Sequence, residues 1–151
     1  MMYHHILLAT NGSVSARKAE EFTLNLCNNG GTELTVLHVQ DDHLCHYGYV
    51  DQLVPGGTKE DFVQYVLEEQ QEAGDRILED FTRKATTRGI VYKLKLQRGE
   101  PAEQIVAIAQ MEEVDLVILG GGRPESRIFF AHRGVAEKVT KMVSCTVMTL
   151  S

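Results

Sequence analysis

Residues 99–120 read GEPAEQIVAIAQMEEVDLVILG, a helix followed by a strand. Gly99-Glu100-Pro101 opens the helix, with proline in the first turn, where its missing N–H would have had no partner anyway. Ile105, Ile108 and Ala109 recur at helical spacing and mark a buried stripe, with Met111 a further candidate. Leu116–Leu119 (LVIL) then runs without a polar residue. A strand apolar on both faces belongs to a parallel sheet covered by helices on each side.

The same alternation continues in both directions. His5–Ala9 (HILLA) is a short apolar strand ending at Thr10-Asn11-Gly12-Ser13, a turn sequence. Ser13 or Ser15 can cap a helix that carries Ala16, Ala19, Thr23, Leu26 and Cys27 on one face. Asn28-Asn29-Gly30-Gly31 stops it, and Glu33–Val39 (ELTVLHV) is the second strand. Residues 40–58 form a long loop, after which Thr58 and Asp61 resemble a capping box. The long helix that follows runs to about Thr87, with Phe62, Val66, Ala73, Ile77 and Phe81 inward and Gly74 as a weak spot. Val91–Leu96 (VYKLKL) alternates as a strand near a sheet edge does. Val135–Met142 reads as a helix and Cys145–Leu150 (CTVMTL) as a closing strand. The fold class is therefore α/β: one domain, an open parallel sheet of five strands with helices on both faces.

Composition narrows the function classes. The 151 residues carry a net charge of −6, against the basic footprint of a nucleic-acid binder. No run approaches the roughly 18 apolar residues of a membrane span, and MMYHHILLAT lacks the pattern of a signal peptide. Cys27, Cys45 and Cys145 form no Cys-x-x-Cys pair, which favours reduced thiols and a cytoplasmic location. Cys27 and Cys145 read as buried filler.

Ligands of open parallel sheets bind beyond the carboxyl ends of the strands, where strand order reverses. Two loops leave such ends: Thr10–Ser13 and Gly120-Gly121-Gly122. Glycines let a ligand approach the backbone, and amides at a helix start, here Gly134 and Val135, favour an anion. Arg123, Arg127, His132 and Arg133 add a local basic patch. Neither the dinucleotide nor the Walker fingerprint is present, so the glycines serve equally well as a plain connection. His38, Asp41, Asp42, His43, Cys45 and His46 include good metal ligands, but their spacing matches no zinc pattern, and a polar surface loop explains them better; no metal is expected. Ser13 and Ser15 fit helix capping better than nucleophilic catalysis. His132 fits a surface histidine better than an acid or base beside a phosphate.

ILLATNGS, ELTVLHV, GEPAEQIV, VDLVILG and a glycine-led loop ahead of GVAEKV occur in that order over the whole chain. In this respect the sequence resembles the universal stress proteins of the UspA-like superfamily. The resemblance implies an adenine nucleotide α-hydrolase-like sheet of order 3-2-1-4-5, with the switch point between strands one and four. It also implies an ATP or AMP site using Gly-x-x-Gly-x9-Gly-Ser/Thr. Gly120 matches the first glycine, whereas Arg123 and Arg133 replace the next two, and Gly134 stands at the hydroxyl position ahead of a matching Val135. Asn11 replaces the usual acid after strand one. Val39 fits the position whose backbone meets adenine, and Leu119 the one before the first glycine. The candidate site is thus Ala9, Thr10, Asn11, Val39, Leu119, Gly120, Gly122, Arg123, Arg133, Gly134 and Val135.

The resemblance further implies a homodimer paired through the C-terminal strand, with Val147 and Thr149 on one face of the contact. The expected function is that of a regulatory, stress-response dimer acting on an unidentified protein partner, with adenine-nucleotide binding weakened or lost. One alternative is an ATP/AMP sensor in which the forked guanidinium groups of Arg123 and Arg133 hold phosphate. Another is a slow ATPase or phosphate-ester hydrolase.

Overall fold

The computed structural model describes residues 3–41, 59–121 and 130–151. Its elements are β1 (His5–Ala9), α1 (Val14–Leu26), β2 (Glu33–Asp41), α2 (Lys59–Thr87), β3 (Lys93–Gly99), α3 (Pro101–Met111), β4 (Leu116–Gly120), α4 (Phe130–Met142) and β5 (Thr146–Leu150). The five strands form one sheet in the order β3-β2-β1-β4-β5. All neighbours pair in parallel, with Ala9 opposite Leu37 on one side and Leu119 on the other.

The sheet separates two cores. On one face Ile6, Leu8, Val36 and Ile118 meet Ala19 and Leu24 of α1 and Leu78, Phe81 and Ala85 of α2. On the other, Leu7, Leu37, Val117 and Leu119 meet Ile105 and Ala109 of α3 and Val139 of α4. Both faces of β1 are therefore covered, which is why HILLA is buried throughout.

Local chemistry explains the boundaries. Ser13, not Ser15, caps α1: its hydroxyl accepts the Ala16 amide at 3.2 Å. Glu100 caps α3 by accepting the Glu103 amide at 2.8 Å, with Pro101 behind it. Asp115 ties the start of β4 to β1, accepting the amides of His4 at 2.7 Å and His5 at 3.0 Å. Desolvation works to raise the Asp115 carboxyl pKa, but those amides outweigh it and hold the group below the ordinary carboxylate range.

Several expectations shift. β3 lies at the edge but starts at Lys93, leaving Val91 87% exposed, and it ends on polar Gln97–Gly99. Those residues pair with Val39, Gln40 and Asp41, so β2 also runs past Val39. Backbone pairing extends both strands where hydropathy gives no sign. The face α2 buries is Gly74, Leu78, Phe81 and Ala85, one step round from Ala73 and Ile77, which are half-buried. The side chains of Phe62 and Val66 and all of Thr58 lie outside the described residues. Gly74 is required: a Cβ there would lie 2.9 Å from the His38 ring. Met111 is exposed at the end of α3, off its stripe. α4 begins at Phe130 rather than Val135. Cys27 is buried, and burial pushes its thiol pKa up; Cys145 is half-buried and shifts the same way.

At the β3 edge, Lys95 and Lys93 reach Glu112 at 3.1 and 3.7 Å. The Lys95 hydrogen bond holds the Glu112 carboxyl below its usual pKa.

Candidate functional site

The chain leaves β1 toward β2 on one side, while β4 enters on the other, so strand order reverses between β1 and β4. A cleft of about 80 Å³ opens there, beyond the carboxyl ends of the strands. Ala9, Thr10 and Asn11 form one wall, Leu37 and Val39 of β2 a second, and Leu119 and Gly120 of β4 a third. Pro101 and Ile105 of α3, Val135 of α4, Ala16 of α1 and Asp41 of β2 complete the lining. The surround is mainly apolar, with polar groups at one end, as small-molecule sites commonly are.

Thr10 is held on every side. Its amide donates to the Leu37 carbonyl at 3.0 Å, which continues the β1–β2 pairing by one residue. Its hydroxyl donates to Glu20 Oε2 at 2.7 Å and accepts the Gly12 amide at 3.3 Å. Its carbonyl lies 2.9 Å from His38 Nδ1. A carbonyl can only accept, so Nδ1 carries the proton. Asn11 spends its side-chain oxygen on the Ser13 amide at 3.0 Å, an Asx turn leading into α1.

Gly120 owes its identity to a close approach. A Cβ there would lie 2.6 Å from the Ala16 amide nitrogen and 2.6 Å from Ser15 Oγ. At Gly121 the obstacle is Thr149, whose Cβ would be 2.8 Å away. Packing therefore requires both glycines, whatever ligand the cleft holds.

Of the residues singled out in the sequence, Ala9, Thr10, Asn11, Val39, Leu119, Gly120 and Val135 meet in this cleft. Gly134 sits inside α4, where a Cβ would meet nothing within 4 Å among the described residues outside its own helix backbone and chain neighbours. Because α4 starts at Phe130, the amides of Gly134 and Val135 belong to its interior ladder and are not the free donors expected at a helix start. Gly122, Arg123 and Arg127, and the side chains of His132 and Arg133, lie outside the described residues, as do Asp42, His43, Cys45 and His46. His38 is buried, with Nδ1 on the Thr10 carbonyl. Among the described residues no group of three His, Cys, Asp or Glu could hold a metal ion, and no helix is long and apolar enough to cross a membrane.

Sequence reasoning missed Leu37, Ile105 and Pro101 as cleft walls, because apolar residues on core elements carry no mark of a ligand. It also missed Glu20, which is 0% exposed and sits behind Thr10. Its place four residues after Ala16 and three before Thr23 puts it on the buried face of α1, and that spacing was the available signal.

The model of the "Universal stress protein family" matches residues 2–151. The chain belongs to the universal stress protein family. A universal stress protein of Methanothermobacter thermautotrophicus is 28% identical over 151 residues, covering 97% of this chain and 94% of that one. The solved universal stress protein UspA of Lactobacillus plantarum superposes with a TM-score of 0.70 at 23% identity, covering 99% of this chain and 98% of that one. A family protein of Arabidopsis thaliana, solved with AMP bound, gives a TM-score of 0.68 at 21% identity, covering 97% of this chain and 90% of that one. The family sheet order, 3-2-1-4-5, is the order found here.

Proposed function

We propose that this universal stress protein is a regulatory binding module that takes an adenine nucleotide weakly, holding base and ribose in the cleft and gaining little from the phosphates. The observation that supports this most is the character of the lining. Leu37, Val39, Ile105, Leu119 and Val135 offer apolar surface suited to a purine, with the polar Thr10–Asn11 turn beside it. Among the described lining residues no lysine or arginine stands to meet a phosphate. The AMP-bound relative of the same fold supports the choice of adenine.

Isothermal titration tests it. Adenosine, AMP and ATP are expected to bind with similar dissociation constants of about 0.1–1 mM, or roughly 4–5.5 kcal/mol. No saturable binding up to millimolar would remove the proposal. A steep gain from adenosine to ATP would instead favour a phosphate site built by Arg123 and Arg133.

The regulatory role includes a homodimer. β5 pairs with β4 on one side, and its outer edge has no strand neighbour among the described residues. Val147 packs partly on the core while Thr149 stands exposed. An uncovered edge strand invites pairing with another chain. Light scattering at tens of micromolar is expected to give twice the chain mass; a monomer defeats the dimer.

A further inference from the structure

We infer that Glu20 is a positioning residue for the cleft: it never reaches the ligand space, and it acts through Thr10. A fully buried carboxylate in the middle of a helix needs a reason, because its desolvation is unfavourable unless the oxygens are bonded. Here Oε2 accepts the Thr10 hydroxyl at 2.7 Å. Oε1 meets Arg17 Nη1 at 3.2 Å and Lys84 Nζ at 3.5 Å. Arg17 is fixed in turn by Asp80 of α2 at 2.9 Å. The carboxylate is thus pinned by α1 and α2, and its one bond toward the sheet goes to Thr10.

Thr10 passes that restraint to the cleft. With its hydroxyl proton committed to Glu20, the oxygen presents a lone pair to the Gly12 amide at 3.3 Å, which sets the turn that Asn11 and Ser13 complete. His38 grips the carbonyl from the opposite side, braced where α2 has glycine at position 74. Glu20 therefore fixes the rotamer of Thr10, the path of residues 10–13 and the position of the α1 amino end that borders the cleft. A pre-set wall binds more tightly than one that must be ordered on binding.

The inference rests on the nucleotide reading for its ligand, and one of its two readouts needs no ligand. Four variants are compared: Thr10→Val, Thr10→Ser, Glu20→Leu and Thr10→Val with Glu20→Leu. Valine keeps the shape of threonine and removes the hydroxyl, while serine keeps the hydroxyl. Leucine leaves Arg17 on Asp80 and Lys84 within 3.9 Å of Glu21. Loss of this bond is expected to weaken AMP binding about tenfold in Thr10→Val and in Glu20→Leu, the size of one hydrogen bond to a charged group. Thr10→Ser should stay within about twofold of wild type, and the double variant should be no weaker than either single one. AMP binding by Thr10→Val at wild-type strength, or single losses that multiply in the double variant, overturns the inference.

Amide hydrogen exchange gives a second readout that needs no ligand. Glu20→Leu is expected to speed exchange at Gly12 and Ser13 about tenfold, with the α3 amides unchanged. If wild type binds no AMP, the nucleotide proposal falls and this exchange decides alone: faster exchange upholds Glu20 as the anchor of the turn, and unchanged exchange overturns it.

Discussion

Phe81→Ala is expected to lower the unfolding free energy by about 4 kcal/mol, measured by urea denaturation. Phe81 is 0% exposed and lies at the centre of the core between the sheet and helices α1 and α2. Its ring meets Tyr92 edge-on, with centroids 5.4 Å apart and planes at 89°, a favourable aromatic geometry that alanine removes. Leu24, Leu78 and the strands behind them are held by their own packing and cannot close the void, so the lost contacts add to the lost transfer free energy. Tyr65, on the same helix but 60% exposed, is the control, and Tyr65→Ala should stay within about 0.5 kcal/mol of wild type. A loss below about 1 kcal/mol at Phe81 would mean that α2 is not seated on the sheet as described. AMP affinity should hold in the folded fraction, because the cleft lies across the sheet from Phe81.

Gly120→Ala is expected to cost about 3 kcal/mol and to abolish measurable nucleotide binding. The added methyl would fall 2.6 Å from the Ala16 nitrogen and 2.8 Å from the Ser15 carbonyl carbon. Ser15 Oγ can rotate away, but those backbone atoms cannot move unless the first turn of α1 lifts off β4. That turn borders the cleft beside Asn11, so stability and binding should fall together. Gly134→Ala is the contrast. Among the described residues no atom beyond its own helix backbone and chain neighbours lies within 4 Å of the new methyl, and alanine is the better helix former by up to about 1 kcal/mol. Wild-type stability in Gly120→Ala, or a large loss in Gly134→Ala, would reverse the roles assigned to these two glycines.

The sheet was legible because its signals are local and strong. LVIL at 116–119 and HILLA at 5–9 are short apolar runs, each followed by turn chemistry, which reads as strands buried on both faces. Where backbone pairing decides instead, hydropathy fails, as at Gln97–Gly99, which are polar and still extended because β2 lies alongside. The long helix is legible with Phe81 inward, but at its middle the buried positions are Gly74 and Leu78, one residue beyond Ala73 and Ile77. Ala73 and Ile77 look more apolar than Gly74, yet it is Gly74 that admits the His38 ring. In the candidate site, the turn after β1 and the glycine that ends β4 stood out by residue type. Ile105 and Leu37 did not, since a cleft wall and a core position call for the same side chain. Glu20 hid for the opposite reason: a glutamate on a helix is ordinarily solvated, so its spacing from Ala16 and Thr23 is easily passed over, and the spacing does not show that it lies behind Thr10.

The two borders of the sheet differ in a way that bears on how the molecule assembles. At β3 the lysines at 93 and 95 lean on Glu112, so that border presents charge with Gln97 and Arg98 beyond it. At β5 the residues are Thr146, Val147, Met148, Thr149 and Leu150, none of them ionisable. Strand addition at the β3 border would bring charged rows together, which natural sheets use to block growth. Among the described residues the uncharged border is that of β5, and it is the one the proposed homodimer would use. Pairing of β5 with its copy would close on a two-fold axis and stop, whereas two equally adhesive borders would allow an open-ended filament.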